Sequence, residues 1–301
     1  MDSKNIVVLG STNTDMVIKT DHLPLPGETI LGGTFFMNPG GKGANQAVAA
    51  ARLGGKVIFI SKTGDDIFGK QAVQNFDNEG INTTYMNTDP DNPSGVALIT
   101  VDSNAENCIV VAPGSNGTLN EQDVNKAKSK IENSSILLMQ LEVPISTVIH
   151  AAKIGSSNGV KVILNPAPAC KIPDELYKHL EIITPNETEA ELLTGVKVTN
   201  KETAREAALV LKSKGVKTVI ITMGSKGAYV FNDEISEIIP APKVNAVDTT
   251  AAGDVFNGAL SVAISDNLEI IKAIEFASKA AAISVIRLGA QTSAPYRKEI
   301  S

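Results

Sequence analysis

From residue 57 onward, short apolar runs alternate with segments of helical periodicity, and this alternation limits the possible folds more than any other feature of the chain. Apolar runs at 57–61, 136–141, 160–164, 181–184 and 216–222 read as buried strands. Helical spacing marks 67–78, 124–131, a segment from Ile145, one beginning near Asn186, and then 204–214, 253–264 and 269–285. Residues 5–10, N-I-V-V-L-G, supply a further strand ahead of the series. Repeated strand–helix units predict a parallel sheet covered by helices on both faces. The 301 residues suffice for one large α/β domain or two small ones, and no linker, repeat or low-complexity stretch divides them.

Two regions break the pattern. Strand-like runs at 16–18 and 34–36 flank L-P-L-P-G-E-T with no helix between them, and runs at 94–101 and 107–111 behave alike. Together they predict a small antiparallel flap projecting from the main sheet. Runs at 228–231 and 235–239 are two further short strands.

The stretch 245–260, N-A-V-D-T-T-A-A-G-D-V-F-N-G-A-L, carries the strongest chemical signal. Pro240 and Pro242 interrupt the chain before it, and Val255, Phe256, Ala259, Leu260 and Ile264 recur at helical spacing after it. Thr249 to Gly253 therefore reads as a loop entering a helix N-terminus, where small residues and unpaired N–H groups make a place for an anion. Asp254 falls in the first turn. A proton acceptor beside a cradle for negative charge is what phosphoryl transfer to a hydroxyl requires. The plainer alternative is an acid that complements the helix dipole.

A second glycine-rich stretch, residues 38–46, reads N-P-G-G-K-G-A-N-Q and opens a helix that Gly54 stops. It is not a P-loop, because Gly43 follows Lys42, nor a dinucleotide fingerprint, because Gln46 stands where the third glycine belongs. Asn13 and Asp15 follow the first strand, and Glu142 stands just past the run 136–141. Carboxyl ends of strands face the ligand crevice of an open α/β sheet, so Asn13 and Asp15 are placed to hydrogen-bond a polyol, the plainer alternative being that they make a turn.

Composition narrows the partners. Lys+Arg 27 against Asp+Glu 33 leaves no basic footprint for nucleic acid. No apolar run reaches membrane-span length, and M-D-S-K-N lacks a signal-peptide pattern. Cys108 and Cys170 are distant in sequence, and His22, His150 and His179 have no metal spacing, so a reducing cytoplasm is expected and a zinc site is not.

D-T-T-A-A-G-D-V-F-N-G-A-L resembles the C-terminal signature of the ribokinase family of carbohydrate kinases, and G-G-K-G-A-N resembles its N-terminal signature. S-T-N-T-D, M-Q-L-E, N-P-A-P-A, T-P-N-E-T-E-A, T-M-G-S-K-G and G-A-Q-T-S-A-P extend the resemblance over 5–295. It implies a three-layer, doubly wound α/β domain spanning 1–301, with a small β lid from 14–38 and 94–111. It further implies transfer of a phosphoryl group from MgATP to O5 of D-ribose, and a homodimer joined through the lids.

Carried over residue by residue, the resemblance puts the sugar on Asn13, Thr14, Asp15, Gly41, Lys42, Gly43, Ala44, Asn45 and Glu142. Asp254 becomes the general base, and Ala251, Ala252 and Gly253 the anion hole. The nucleotide falls on Asn186, Thr222, Met223, Gly224, Ser225, Lys226, Gly227, Gly253, Asp254 and Ser278, where Ser278 departs from the side chain that relatives can carry. Asn186 and Glu189 match the magnesium motif, acting directly or through water. A monovalent cation, K⁺, is implied at Asp248, Thr250, Ser284, Arg287, Gly289 and Ser293. Two rival readings remain: another sugar or nucleoside kinase on this scaffold (a deoxyribokinase or fructokinase), and a non-catalytic sugar-binding regulator.

Overall fold

A computed structural model describes residues 5–104 and 106–300. The first strand, β1 (Asn5–Leu9), is followed by β2 (Asn13–Lys19), β3 (Thr34–Gly40) and helix α1 (Lys42–Arg52). Then come β4 (Lys56–Gly64), α2 (Ile67–Asn78), β5 (Asn82–Asp89), β6 (Gly95–Val101) and β7 (Asn107–Ala112). The middle of the chain holds α3 (Glu121–Lys126), α4 (Lys128–Glu132), β8 (Ile136–Met139), α5 (Ile145–Ser157), β9 (Lys161–Leu164), α6 (Asp174–Tyr177) and β10 (Ile182–Ile183). The last third holds α7 (Glu187–Thr194), α8 (Lys201–Ser213), β11 (Thr218–Thr222), β12 (Ala228–Phe231), β13 (Ser236–Ile239), α9 (Ala252–Ser265) and α10 (Ile270–Ser284).

Nine strands form one sheet in the order β13-β12-β11-β10-β9-β8-β1-β4-β5. From β11 to β5 all neighbours run parallel, while β12 and β13 add an antiparallel edge. Pleating divides each buried strand between two cores. Ile6, Val8, Phe59 and Leu138 pack with α1, α9 and α10, whereas Val7, Leu9, Ile60 and Leu137 pack with α5 and α8. The sheet is thus the middle of three layers, as expected. Each of these side chains is almost wholly withdrawn from water, a gain of about 1.5–3 kcal/mol apiece against exposure.

The chain leaves β1 first for β4 and later for β8, on opposite sides. Strand order therefore reverses between β1 and β8, and the crevice at their carboxyl ends is where an open α/β sheet binds ligands.

The second sheet has the order β3-β2-β6-β7. The expectation of an antiparallel flap needs correction, because β2 and β6 run parallel, register Asn13↔Gly95 to Lys19↔Val101. The reason is topological. β2 leaves the carboxyl end of β1 and β6 follows β5, both at the same rim of the main sheet, so both run outward, while β3 and β7 return antiparallel beside them. Residue 105, within the expected lid segment 94–111, lies outside the described residues.

Two other expectations are corrected. The helix predicted over 124–131 is two short helices, broken at Ala127. The strand expected over 136–141 ends at Met139, which frees Gln140 and Glu142 to turn toward the crevice. Strand β5 was not anticipated, because N-T-T-Y-M-N-T-D lacks an apolar run and sits at the sheet edge.

Candidate active site

The glycine-rich turn before α1 is built around Ser11 and Glu142. Gly41 has φ 90°, and a Cβ there would come 2.8 Å from the backbone N of Asn13, so glycine alone fits this close approach. The turn directs the Lys42 N–H to Glu142 Oε2 at 2.9 Å, and the Ser11 hydroxyl donates to the same oxygen. Ala44 N–H donates to the Ser11 carbonyl at 2.9 Å and Gly43 N–H to its hydroxyl at 3.3 Å. The carboxyl ends of β1 and β8 and the start of α1 are thereby tied into one floor.

Asn13, Thr14 and Asp15 open β2 rather than forming a turn. Asn13 Oδ1 accepts from Asn116 Nδ2 at 2.7 Å, a partner that sequence reasoning missed. The Asp15 carboxylate packs against Gly40, where any Cβ would collide with it. Burial, with the nearby charges of Glu142 and Asp254, pushes the Asp15 carboxyl up to about 6. Lys42 faces these three carboxylates and Glu189 as well. Burial alone would lower its ammonium, but Asp254, Glu142, Glu189 and Asp15 outweigh that and hold it above the ordinary lysine value.

Asp254 lies in the first turn of α9 and is 5% exposed. Asn45 Nδ2 donates to its Oδ2 and Gln46 Nε2 to its Oδ1, each at 2.9 Å. Burial raises its carboxyl above the usual range, against the opposing pull of Lys42, Gln46 and Asn45. Ala251, the residue before α9, adopts φ 58°, a left-handed conformation uncommon for a residue with a Cβ. That conformation turns the chain so that the N–H groups of Ala251, Gly253 and Asp254 have no protein acceptor among the described residues. Ala252 differs from the expected set, because its N–H donates to the Thr249 carbonyl at 3.2 Å.

A cavity of about 760 Å³ opens beside this helix start. Ala252 and Gly253 line one end, Thr222, Gly224, Ser225 and Gly227 another, and Ser278, Ala281 and Val285 of α10 a third. Gly227 has φ 109°, and a Cβ would strike the Ile239 carbonyl, so this wall also requires glycine. Three residues of the expected nucleotide set do not line this cavity, Asp254 being one. Met223 is buried in the core, and Lys226 pairs with Glu187 at 3.0 Å.

Asn186 lines the cavity and caps α7. Its Oδ1 accepts from Glu189 N–H at 2.8 Å, and Glu189 Oε2 accepts from Asn186 N–H at 2.9 Å. N-x-x-E is therefore a capping box, with Glu189 buried rather than solvated, and its carboxyl raised by that burial. The second oxygen of Glu189 has no protein partner among the described residues.

Asp248 joins the loop before α9 to the segment after α10. Its Oδ1 accepts from Thr250 N–H and its Oδ2 from Gly289 N–H, each at 2.9 Å. Burial alone would raise this carboxyl, but the hydrogen bonds from Thr250 and Gly289 outweigh it and keep Asp248 below the ordinary value, hence ionised. The hydroxyls of Ser284 and Ser293 donate to the Ala281 and Ala290 carbonyls, which leaves their lone pairs available. The Arg287 guanidinium pairs with Glu299, so only its backbone is left to face this loop.

Besides Asn116, the residues sequence reasoning missed lie beneath Asp254: Gln46, Gln140 and Asn165, all buried and hydrogen-bonded in series. The signal was present, since each stands inside or beside a quoted motif, but buried amides are invisible to hydrophobic periodicity.

The chain has close relatives. A ribokinase of Haemophilus influenzae is 50% identical over 296 residues, covering 98% of this chain and 97% of that protein. A deoxyribokinase of Salmonella typhi is 41% identical over 292 residues, covering 97% and 95%. The solved structure of Arabidopsis thaliana ribokinase complexed with ribose and ATP superimposes with TM-score 0.91 at 34% identity, over 99% of this chain and 97% of that one. The sequence pattern of the pfkB family carbohydrate kinases matches residues 3–297. A buried carboxylate at a helix start, beside N–H groups with no acceptor among the described residues and next to a large cavity, is thus found in a chain that belongs to the pfkB family of carbohydrate kinases.

Proposed function

We propose that this chain transfers the γ-phosphoryl group of ATP to O5 of D-ribose, giving D-ribose 5-phosphate and ADP. The observation that carries this reading is Asp254, a carboxylate oriented by two amide donors and set beside three unpartnered N–H groups. Asp254 takes the proton of the sugar hydroxyl as the O–P bond forms. The N–H groups of Ala251, Gly253 and Asp254 hold the charge on the transferred group. Because the transition state is loose, alignment and charge stabilisation contribute more than base strength.

The sugar lies among Asn13, Thr14, Asp15, Gly41, Lys42, Gly43, Ala44, Asn45 and Glu142. Asn45 Oδ1 is buried without a donor, a deficit of about 1–3 kcal/mol that a sugar hydroxyl removes. The nucleotide occupies the 760 Å³ cavity, and its phosphates point to the start of α9.

The residues fit the two metal ions. Asn186 lines the cavity beside the spare oxygen of Glu189, which suits a hydrated Mg²⁺ that neutralises phosphate charge. Asp248 offers an ionised carboxylate, with Thr250, Ser284, Gly289, Ser293 and the Arg287 carbonyl supplying neutral oxygens for K⁺. A cation held by these residues would stiffen the loop 248–253, whose N–H groups Asp248 already helps to place. Replacing K⁺ by a bulky organic cation at constant ionic strength lowers turnover, whereas Asp248→Ala loses that response; equal rates in both salts count against the site.

The lid of 14–38 and 94–111 covers the sugar, and its exposed Ile18, Phe35, Met37, Leu98, Val110 and Val111 support a second copy packed against it. The free, exposed Cys108 and Cys170 support a cytoplasmic location.

The 41% identity to a deoxyribokinase supports a second reading, 2-deoxyribose as substrate. Measuring kcat/KM for D-ribose, 2-deoxy-D-ribose, D-fructose and adenosine decides between them. Ribose gives the highest value; a higher value for any of the others overturns the assignment, and no turnover of any sugar favours a non-catalytic regulator.

A further inference from the structure

We propose that Gln46 is a positioning residue for Asp254, and that Gln140, Asn165, Thr184 and Asn257 fix the direction in which its amide points. The inference deepens the function proposed above and rests on it for the role of Asp254. An ionised carboxylate only accepts, so the end of Gln46 that faces it is the NH₂. Both N–H bonds are used: Nε2 is 2.9 Å from Asp254 Oδ1 and 2.9 Å from Asn165 Oδ1. Oε1 then accepts from Gln140 Nε2 at 2.6 Å.

On the other side the series continues. Asn165 Nδ2 donates to the Thr184 carbonyl at 3.3 Å, and the Thr184 hydroxyl to Asn257 Oδ1 at 2.6 Å. Asn257 Nδ2 donates to the Gly253 carbonyl at 2.8 Å. The path leaves Asp254 and returns to the helix turn that carries it. Reversing any one amide breaks its neighbours, so the network has a single polarity.

All five side chains are at most 6% exposed. Buried amides are costly unless paired, and well-packed aliphatic residues serve a core at least as well, so packing alone does not account for this set. With Asn45 on Oδ2, the Gln46 donor fixes the plane of the carboxylate and leaves a defined lone pair for the incoming hydroxyl. The charged groups that face Asp254 are Lys42 of α1, Glu142 after β8, Asp15 of β2 and Glu189 of α7. Lys42 and the two amides favour its ionised form, while burial and the three carboxylates oppose it.

The test uses the intact protein with two variants of matched length, Gln46→Met and Gln140→Met. Two readouts are followed: the pH profile of kcat/KM with ribose, and, without substrate, the infrared carboxyl band of Asp254 assigned by subtracting Asp254→Asn. For Gln46→Met the acid limb and the infrared midpoint both move to higher pH. On that limb kcat/KM falls about tenfold, the loss of one hydrogen bond to a charged acceptor, while KM for ATP stays within twofold. Gln140→Met moves both readouts in the same sense by less. A folded Gln46→Met with an unmoved midpoint and profile overturns the proposal. If Gln46→Met does not fold, Gln140→Met decides on the same two readouts. A wild type inactive on ribose whose infrared midpoint still moves in the variants sinks the ribose reading and keeps the relay.

Discussion

At the residue scale the account depends on a few carboxylates whose surroundings push them apart in role. Asp254 is anchored by amides and buried, which suits its proposed role as the base that acts on a bound hydroxyl. Asp15 is raised to about 6 by burial and by two like charges, which suits a group that binds rather than reacts. The sign of its pH dependence follows. Below about 6 Asp15 is protonated and loses acceptor strength toward sugar hydroxyls, so KM for ribose rises as pH falls through that value. Stability moves the other way, because the folded form holds the proton more tightly: the contribution is fully present below 3.8 and is lost as pH rises through about 6. In Asp15→Asn the KM limb flattens while a kcat limb, if set by Asp254, survives; a KM that stays pH-dependent in the variant contradicts the assignment. Most candidate residues were legible in the sequence because they stand in polar or glycine-rich strings at strand ends and helix starts. Gln46, Gln140, Asn165 and Asn116 were not, since a buried amide looks like any other polar residue until the fold supplies its partner.

At the scale of elements, the site depends on how closely α1 and α9 approach. A Cβ on Gly258 would come 2.7 Å from the Gln46 carbonyl and 2.8 Å from Ala49 Cβ. Gly258→Ala therefore pushes α9 off α1 and lengthens the Asn45 and Gln46 bonds to Asp254. The expected result is a stability loss of about 1–3 kcal/mol and a kcat loss larger than the change in KM for ATP. Thermal melts and steady-state kinetics check this; a stable variant with unchanged kcat shows that helix contact does not set the base. Helices and the central strands were readable from periodicity. Strand β5 and the parallel β2–β6 pairing were not, because an edge strand has little apolar pattern and strand direction depends on where the chain leaves the main sheet.

At the scale of the whole molecule, two sheets divide the chain: a nine-stranded one whose strand order reverses between β1 and β8, and a four-stranded one that leaves from the same rim and is proposed to overhang the sugar. The exposed apolar residues of the smaller sheet predict a dimer by sedimentation, and Met37→Asp with Val110→Lys converts it to monomer; a wild-type monomer sinks the lid-to-lid arrangement. Phosphoryl transfer to O5 with Asp254 as base is checked by following D-ribose, MgATP and K⁺ with the intact protein by ³¹P NMR, beside Asp254→Asn. The expected result is one phosphate ester at O5 per ADP formed, and a rate about 10²–10⁴-fold lower in Asp254→Asn, the usual contribution of a general base, with ribose and nucleotide still bound. An ester at another position, no ester, or equal rates in the two proteins would contradict it.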